Sequence, residues 1–214
     1  MSKLGDGQLQ VARVLFALPE ARGFALAGGS ALLVLGVIDR ETRDIDAFVA
    51  ARPEVPPGDV APLVVALQDR LEADGWKVSI GRRVSTFARA LATRSGAEVV
   101  IDLAVDSPPL FPTTVIDGIP VLAGEDLAAR KVLAILDRVE GRDYTDLRTL
   151  AERYPLGDII GWAQQLDDGV LSDDVARAFL RIERLEDDDL PCRPAEVTDL
   201  RDWFGARASD LCGD

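Results

Sequence analysis

Histidine is absent from this chain of 214 residues, and its absence excludes several kinds of chemistry at once. Ser-His and Cys-His catalysis, histidine zinc sites and imidazole acid–base catalysis all need that side chain. The two cysteines, Cys192 and Cys212, lack metal-ligand spacing, no segment resembles a secretory signal, and no apolar run is long enough to span a membrane. These absences predict a reduced, cytoplasmic protein without a membrane partner, whose chemistry rests on carboxylates, lysine, arginine and bound cations.

Basic residues are scarce relative to acidic ones, at 24 against 37, which gives a net charge of -13. Such an acidic chain is not attracted to nucleic acid or anionic membranes by its overall charge. The acidic excess is uneven, because residues 155–214 contain 15 acidic and 6 basic residues, whereas the first 154 contain 22 and 18. The objection to a nucleic-acid partner is therefore weaker for the N-terminal part.

The order of predicted elements indicates an α+β fold, because strands and a few helices come first and only helices follow. We place the boundary between an α/β core at residues 1–122 and a helical C-terminal domain at residues 123–214. The predicted strands are Phe24–Ala27, Ile45–Val49, Lys77–Ile80, Thr86–Ala92 and Glu98–Val105. The predicted helices cover residues 8–18, 30–35, 59–73, 125–139, 144–152, 158–165, 173–185 and 196–206, and a Pro-rich loop covers residues 53–58.

Two carboxylates, Asp44 and Asp46, lie two residues apart on a predicted strand. Residues two apart on a strand point to the same face, so Ile45 turns to the opposite, packed face. Two carboxylates on one face repel each other unless a cation lies between them, and Mg²⁺ suits such a site because it takes one or two carboxylates together with water and phosphate oxygens. The pair alone is also compatible with a solvated strand edge.

A third carboxylate, Asp102, interrupts the apolar run of residues 99–105. A buried carboxylate needs a partner, because burying it unpaired costs several kcal/mol. If this strand lies beside the strand of Asp44, three carboxylates converge on a patch that can hold two ions of Mg²⁺ or Mn²⁺. The alternative is a core aspartate satisfied by backbone donors or by an arginine such as Arg89.

A Gly28-Gly29 turn precedes Ser30 at the start of a short predicted helix. Glycines let the backbone approach a ligand closely, and the first amides of a helix carry partial positive charge, which suits a phosphate. Ser30 either caps the helix or donates its hydroxyl to a phosphate oxygen. The turn lies just upstream of the paired carboxylates, so phosphate and metal would meet at one point.

These motifs together resemble the nucleotidyltransferase superfamily of DNA polymerase beta, whose signature is a G-[GS]-S turn, a D-x-[DE] pair and a later strand aspartate. The matching residues here are 27–31 (AGGSA), 40–46 (RETRDID) and 101–102 (ID). Residues 126–138 and 141–147 extend the likeness to the AbiEii group of toxin nucleotidyltransferases, which includes the MenT toxins. The resemblance implies a polymerase beta-like mixed sheet with flanking helices, followed by a helical part.

The family resemblance implies an enzyme that transfers a nucleoside monophosphate from an NTP and releases pyrophosphate. For the MenT-like members it implies the 3′ end of tRNA as the acceptor, which would block translation, and a co-encoded antitoxin that need not bind the toxin directly. The metal ligands would be Asp44, Asp46 and Asp102. Lys131 would bind the triphosphate, and Asp146, or less favourably Asp143, would orient Lys131 or the nucleotide.

Several alternatives stay open. Lys131 lies at the border of an apolar helix face, so it could be a surface lysine, and Asp143 could be a helix N-cap. Arg40 could contact phosphate or be an ordinary loop arginine. A small-molecule nucleotidyltransferase of the aminoglycoside-modifying kind would suit the acidic composition, whereas a tRNA acceptor needs a basic track, with candidates Arg82, Arg83, Arg89 and Arg94. A module that binds nucleotide without catalysis is the third possibility.

Overall fold

A computed structural model describes residues 4–42, 44–50 and 60–212 of the chain. The chain divides into two compact units, residues 1–123 and residues 124–214, and the boundary predicted from the sequence lies after residue 122. The Pro-rich loop predicted at residues 53–58 and the start of the helix predicted from residue 59 lie outside the described residues.

The first unit contains a mixed sheet of seven strands in the order β3-β4-β5-β2-β1-β7-β6. Strands β2 and β5 are parallel, as are β1 and β7, and the other neighbours are antiparallel. The strands are β1 (Phe24–Ala27), β2 (Asp44–Ala50), β3 (Lys77–Val84), β4 (Phe87–Arg94), β5 (Ala97–Asp106), β6 (Thr114–Ile116) and β7 (Ile119–Val121). The predicted α+β class with a mixed sheet is therefore confirmed.

One face of this sheet is apolar and is packed by helices. Helices α1 (Asp6–Ala17) and α3 (Ala61–Ala73) contact each other, and between them they contact β2, β3, β4, β5 and β7. The strand residues that are buried on this face alternate along the chain, as the two-residue repeat of a strand requires: Ile45, Ala47, Ala88, Ala90, Ala92, Val99, Ile101 and Leu103. Removing this apolar surface from water is what fixes the strand register, because a slip of one residue would expose the whole set.

A β6–β7 hairpin has no counterpart among the predicted strands. Its turn is Asp117-Gly118, and both residues have positive φ, at 51° and 82°. The same two-residue geometry recurs at Ser95-Gly96 between β4 and β5, with φ of 50° and 83°. Asp-Gly between short apolar runs is a strong hairpin signal, since both central residues of a type I′ turn need positive φ.

The second unit is helical. Its helices are α4 (Gly124–Asp137), α5 (Gly141–Leu150), α6 (Leu156–Leu166), α7 (Ser172–Leu180) and α8 (Val197–Cys212). Tyr144, Phe179 and Phe204 are fully buried, and Phe204 packs edge-to-face against each of the other two rings at a centroid distance of 5.0 Å. The predicted helix at residues 173–185 ends five residues early and continues as a 3-10 turn. None of the described helices combines the length and the apolar character needed to cross a membrane.

Candidate active site

A row of charged side chains crosses the sheet on the face opposite helices α1 and α3. Asp46 on β2 is in register with Asp102 on β5, which is in register with Arg89 on β4. Residues in register point to the same side of a sheet, and Asp44 lies two residues before Asp46 on that same side. The structure therefore places the two strands that carry the three predicted carboxylates side by side and adds an arginine to them.

Arg89 donates two parallel hydrogen bonds to the carboxylate of Asp102. Its Nε donates to Oδ1 at 2.7 Å and its Nη2 donates to Oδ2 at 2.6 Å. The Asp102 hydrogen bonds and charge, followed by the charges of Asp44 and Asp46, raise the pKa of Arg89 above its ordinary value, although burial works in the opposite direction. The partner suggested for Asp102 on sequence grounds, Arg89, is thus the one that the structure shows, and this guanidinium lies in the field of all three carboxylates.

The donor chemistry of this row fits a hard divalent cation, because carboxylate oxygens are the ligands that Mg²⁺ and Mn²⁺ prefer. The in-register placement of Asp46 and Asp102 brings two of these donors onto neighbouring strands. In the part of the chain that the structure describes, however, no three Asp, Glu or Cys side chains form a group spaced to hold a metal ion. Asp102 faces Arg89, and the three expected carboxylates lie on one face of two neighbouring strands without forming such a group in the described residues.

The glycine turn between β1 and helix α2 (Gly28–Val34) packs directly against the carboxylate strand. Gly28 has a φ of +59°, and a Cβ there would lie 1.8 Å from Oδ2 of Asp46. A Cβ on Gly29 would lie 3.3 Å from Nη2 of Arg40. The turn therefore holds its backbone against Asp46 on one side and a guanidinium on the other, which only small residues permit.

Ser30 is the third residue of α2 and is fully buried, so it is not the helix N-cap; that position belongs to Ala27. Its hydroxyl donates to the backbone carbonyl of Asp44 and lies 3.1 Å from Oγ1 of Thr42. Ser30 thereby fixes the start of β2 relative to the glycine turn. Thr42, which also lies within 3.4 Å of the Asp44 amide, was not among the predicted site residues, although it stands two residues before the D-x-D pair.

The predicted site residues of the helical unit form a buried ion-pair network within that unit. Nζ of Lys131 lies 2.8 Å from Oδ1 of Asp143 and 2.8 Å from Oδ2 of Asp146. Lys131 is only 8% exposed, so it is not a surface lysine, and Asp143 lies inside α5, whose N-cap is Glu140. Both aspartates considered as partners of Lys131 are therefore in contact with it.

A second cation, Arg138, completes this network and was not predicted. Its Nε donates to Oδ2 of Asp143 at 2.8 Å. Burial alone would raise the pKa of Asp143, but the charges and hydrogen bonds of Lys131 and Arg138 outweigh it and hold that pKa below its usual value. The i+5 relation of Arg138 to Asp143 across the break between α4 and α5 follows from the fold, not from a repeat visible in the sequence.

The four arginines considered as a basic track separate into two groups. Arg83 pairs with Ala88, and a bulge at Gly81-Arg82 lies opposite Arg89, so Arg82 and Arg83 stand on the strand next to Arg89. Arg94 lies at the other end of β4, where it donates to the carbonyl of Asp74 at 2.9 Å and stacks on Trp76 at 4.7 Å. Because Ala88 is buried on the opposite, helix-packed face, Arg83 points away from the carboxylate row, whereas Arg82 lies over the ring of Phe87, two residues before Arg89 on the same face. Two of the four arginines, Arg82 and Arg89, are thus on the face of the carboxylate row.

The fold of this chain is similar to the folds of two solved structures. A solved structure from H. pylori with a provisional nucleotidyltransferase assignment superposes with a TM-score of 0.55 at 17% identity, covering 97% of this chain and 96% of the other. JHP933 from Helicobacter pylori superposes with a TM-score of 0.54 at 17% identity, covering 98% and 93%. At this identity the likeness defines the fold alone, which is the nucleotidyltransferase fold.

The family model described as "Nucleotidyl transferase AbiEii toxin, Type IV TA system" matches residues 12–170. The chain therefore belongs to the AbiEii nucleotidyltransferase toxin family, and it is a nucleotidyltransferase. No curated protein matches the sequence. Family membership implies an NTP substrate, a divalent metal ion and an antitoxin partner, and it confirms the resemblance inferred from the G-G-S and D-I-D motifs.

Proposed function

We propose that this enzyme transfers a nucleoside monophosphate from an NTP to the 3′ end of tRNA, with release of pyrophosphate. Such transfer would block aminoacylation and so arrest translation, which fits a family described as toxins of type IV toxin–antitoxin systems. A co-encoded antitoxin would then be the physiological opponent. The chemistry would be carried out in the cytoplasm, where NTP and tRNA are found together.

One observation carries the proposal: the glycine turn, the D-x-D strand and Asp102 lie side by side on one sheet. Nucleotidyl transfer needs phosphate contacts next to metal-binding carboxylates, because the attacking hydroxyl and the leaving pyrophosphate flank a single phosphorus atom. The backbone of Gly29 and the guanidinium of Arg40 are candidates for the phosphate contacts, since they lie against each other at this turn.

We assign Asp44 and Asp46 to the Mg²⁺ or Mn²⁺ that accompanies the nucleotide, and Asp102 to the acceptor side. A divalent ion bound there would supply charge neutralisation at the phosphates and lower the pKa of the attacking hydroxyl. Asp102 would hold the proton of that hydroxyl or direct its loss. Because the Ser30 hydroxyl is donated to the Asp44 carbonyl, the phosphate contact assigned to Ser30 would come from its backbone amide, and its side chain would position the strand.

For Lys131 we propose contact with the triphosphate, with Asp146 and Asp143 orienting the ammonium. An ammonium has three donors, and the two carboxylates at 2.8 Å account for two of them. Two fixed donors aim the third, which a phosphate oxygen would accept. Lys131 is 8% exposed, so a triphosphate must enter the buried environment of the ammonium to contact it.

A nucleic-acid acceptor is supported by the arginines that accompany the carboxylate row. Arg82 is exposed on β3, on the strand next to Arg89, and its guanidinium lies 5.8 Å from the ring centroid of Phe87 on the same face as Arg89. Basic side chains next to the reacting groups would offset the net charge of -13 for a polyanionic acceptor. That same net charge favours the second candidate, a cationic small molecule such as an aminoglycoside, and the acceptor assay must therefore include one.

The test is incubation of the purified protein with Mg²⁺, total tRNA and each α-labelled NTP in turn. The control is Asp44→Ala/Asp46→Ala, and a parallel reaction replaces tRNA by an aminoglycoside. Label on a tRNA-sized band that requires both carboxylates supports the proposal and identifies the nucleotide. Labelling of the aminoglycoside alone would replace the tRNA acceptor by the second candidate.

An Asp44→Ala/Asp46→Ala protein that labels tRNA as well as the wild type would refute the role of the carboxylate pair. Label confined to one NTP would define donor specificity, and digestion to the terminal nucleoside would show whether the label is at the 3′ end. A label released from internal positions would overturn the 3′-end assignment while leaving nucleotidyl transfer in place.

A further inference from the structure

The fork of hydrogen bonds between Arg89 and Asp102 occupies both oxygens of the carboxylate assigned to the acceptor side. Nε to Oδ1 is 2.7 Å and Nη2 to Oδ2 is 2.6 Å. A planar guanidinium matched to a carboxylate in this way is a strong, directional pair. A divalent cation that coordinated Asp102 at the same time would lie next to a full positive charge, and the two cations would repel each other.

The two partners differ in how firmly the fold holds them. The Asp102 side chain is 12% exposed on a central strand, whereas the Arg89 side chain is 58% exposed. Arg89 can therefore leave its partner for solvent without opening a cavity, and Asp102 cannot follow it. An exposed cation on a long side chain is readily exchanged, because its charge is well solvated when it leaves.

Arg89 also interacts electrostatically with the carboxylates of Asp44 and Asp46. After Asp102, the charges that raise its pKa are those of Asp44 and Asp46. The guanidinium thus sits in the combined negative field that a divalent ion would experience. A single monovalent group at that place neutralises only part of the charge of three carboxylates, and a divalent ion would neutralise more of it.

We infer that Arg89 is a built-in competitor of the divalent cation for Asp102. Without nucleotide, Asp44 and Asp46 bind the ion and Asp102 stays with Arg89; Asp102 becomes a metal ligand only when Arg89 is released. The inference rests on the proposed function for the location of the ion at Asp44 and Asp46. It assigns to Arg89 a positioning role that keeps the acceptor-side carboxylate out of the metal site until substrate phosphates can take the guanidinium.

The experiment is a Mn²⁺ titration without nucleotide or tRNA, read by the electron paramagnetic resonance signal of free Mn²⁺. The proteins are the wild type, Asp102→Asn, Arg89→Gln and the double variant Arg89→Gln/Asp102→Asn. We expect Asp102→Asn to bind Mn²⁺ within about twofold of the wild type, and Arg89→Gln to bind about tenfold more tightly. In the double variant the gain disappears, because it depends on the released carboxylate.

Arg82→Gln is the matched control, since it removes the same charge from the strand next to Arg89 and from the same face of the sheet. An equal gain in Arg82→Gln, or a gain that survives in the double variant, would show a general field effect and overturn the competition. So would a marked loss of Mn²⁺ affinity in Asp102→Asn alone, because Asp102 would then be a ligand despite Arg89. Arg89→Lys, which keeps the charge but lacks the fork, should fall between Arg89→Gln and the wild type.

Thermal unfolding of each variant without metal shows whether it is folded, and Arg89→Lys replaces Arg89→Gln if the latter is not. Asp44→Asn/Asp46→Asn separates the two hypotheses. If that variant retains wild-type Mn²⁺ binding, the metal assignment of the proposed function is wrong. If it loses Mn²⁺ binding while Arg89→Gln shows no gain, the metal assignment stands and the competition by Arg89 fails.

Discussion

The two units each contain a cluster of charges, and the clusters differ in balance and in burial. On the sheet, three carboxylates act on one guanidinium whose side chain is 58% exposed. In the helical unit, two aspartates face two cations, and the aspartate side chains are 0% and 1% exposed. The first cluster has an excess of negative charge and an exchangeable cation, whereas the second pairs two buried aspartates with a buried lysine and a partly exposed arginine.

This difference predicts different responses to mutation. Removing a carboxylate from the unbalanced cluster relieves repulsion, so it should harm chemistry far more than folding. Removing a carboxylate from the balanced cluster leaves a buried cation without its partner, so it should harm folding directly. Charges that act mainly in the chemistry and charges that also hold the fold can thus be distinguished by measuring activity and stability on the same set of variants.

The largest expected effect is on the sheet. Asp46→Asn should lower nucleotide transfer on the order of a thousandfold, because it removes a preorganised charge at the phosphates. Its melting temperature should stay unchanged or rise, since two like charges no longer face each other on β2. Initial rates with the labelled NTP and a thermal melt measure the two effects. As a control, Asp69→Asn, which changes an exposed carboxylate on α3, should alter neither activity nor melting temperature. A large drop in the melting temperature of Asp46→Asn would contradict the proposed difference between the two clusters.

The second effect concerns the enclosed cluster. Asp143→Asn should destabilise the helical unit by about 3 kcal/mol, because Lys131 and Arg138 lose a buried counter-charge. Urea unfolding followed by the fluorescence of Trp162 and Trp203 measures the loss. The exposed Asp168→Asn should stay within about 0.5 kcal/mol of the wild type, and equal stability of both variants would show that the network is dispensable.

The stability difference between the wild type and Asp143→Asn should change with pH in a definite direction. Because the pKa of Asp143 is held below its usual value of 3.8 in the folded state, its contribution to stability is present above that value and is lost as pH falls further. The gap between the wild type and Asp143→Asn should therefore be constant from pH 7 to about pH 5 and should narrow below about pH 4. A gap that widens with acid would assign the stabilisation to another group.

A substitution in the glycine turn should have a smaller effect on stability, and that effect should be confined to the sheet unit. Gly28→Ala should cost about 2 kcal/mol, because the residue has a φ of +59° and its new Cβ would meet Asp46 Oδ2 at 1.8 Å. Activity should fall with it, since Asp46 must move. Gly36→Ala has a similar φ of +67° but open space around its Cβ, so comparing the two separates backbone strain from displacement of the carboxylate.

Much of the sheet unit could be predicted because its signals are local. Alternation along β5 gave the buried face of Val99, Ile101 and Leu103, and the same alternation placed Asp102 on the other face. What the sequence could not give is which strands are neighbours, and the Arg89–Asp102 contact depends on β4 pairing with β5. Arg89 was named as one possible partner of Asp102, but only the register selects it.

In the helical unit the opposite holds, because helix positions were predictable while the burial of charge was not. A lysine beside an apolar stripe is compatible with either a surface or an enclosed position, and the choice is made by α5 delivering two carboxylates to it. The roles of Lys131, Asp146 and the glycine turn in binding nucleotide stay predictions. The contacts in the structure explain how these residues are positioned, and a complex with a triphosphate would show whether they bind it.

The smallest expected effect is at Tyr144, which is buried next to the charged network without belonging to it. Its hydroxyl donates to the carbonyl of Ala178 at 2.9 Å, so Tyr144→Phe should cost about 1 kcal/mol at pH 7.

Burial raises the pKa of Tyr144 to about 12, which means that folding favours the neutral phenol. The wild type should therefore lose stability as pH rises from about 10 to about 12. Tyr144→Phe lacks this phenol and should lose less, so urea unfolding at pH 7 and pH 11 should show the two proteins converging. A stability difference that stays constant between the two pH values would show that the phenol ionises as readily in the fold as in the unfolded chain, and the helical core around it would then be more open than its burial indicates.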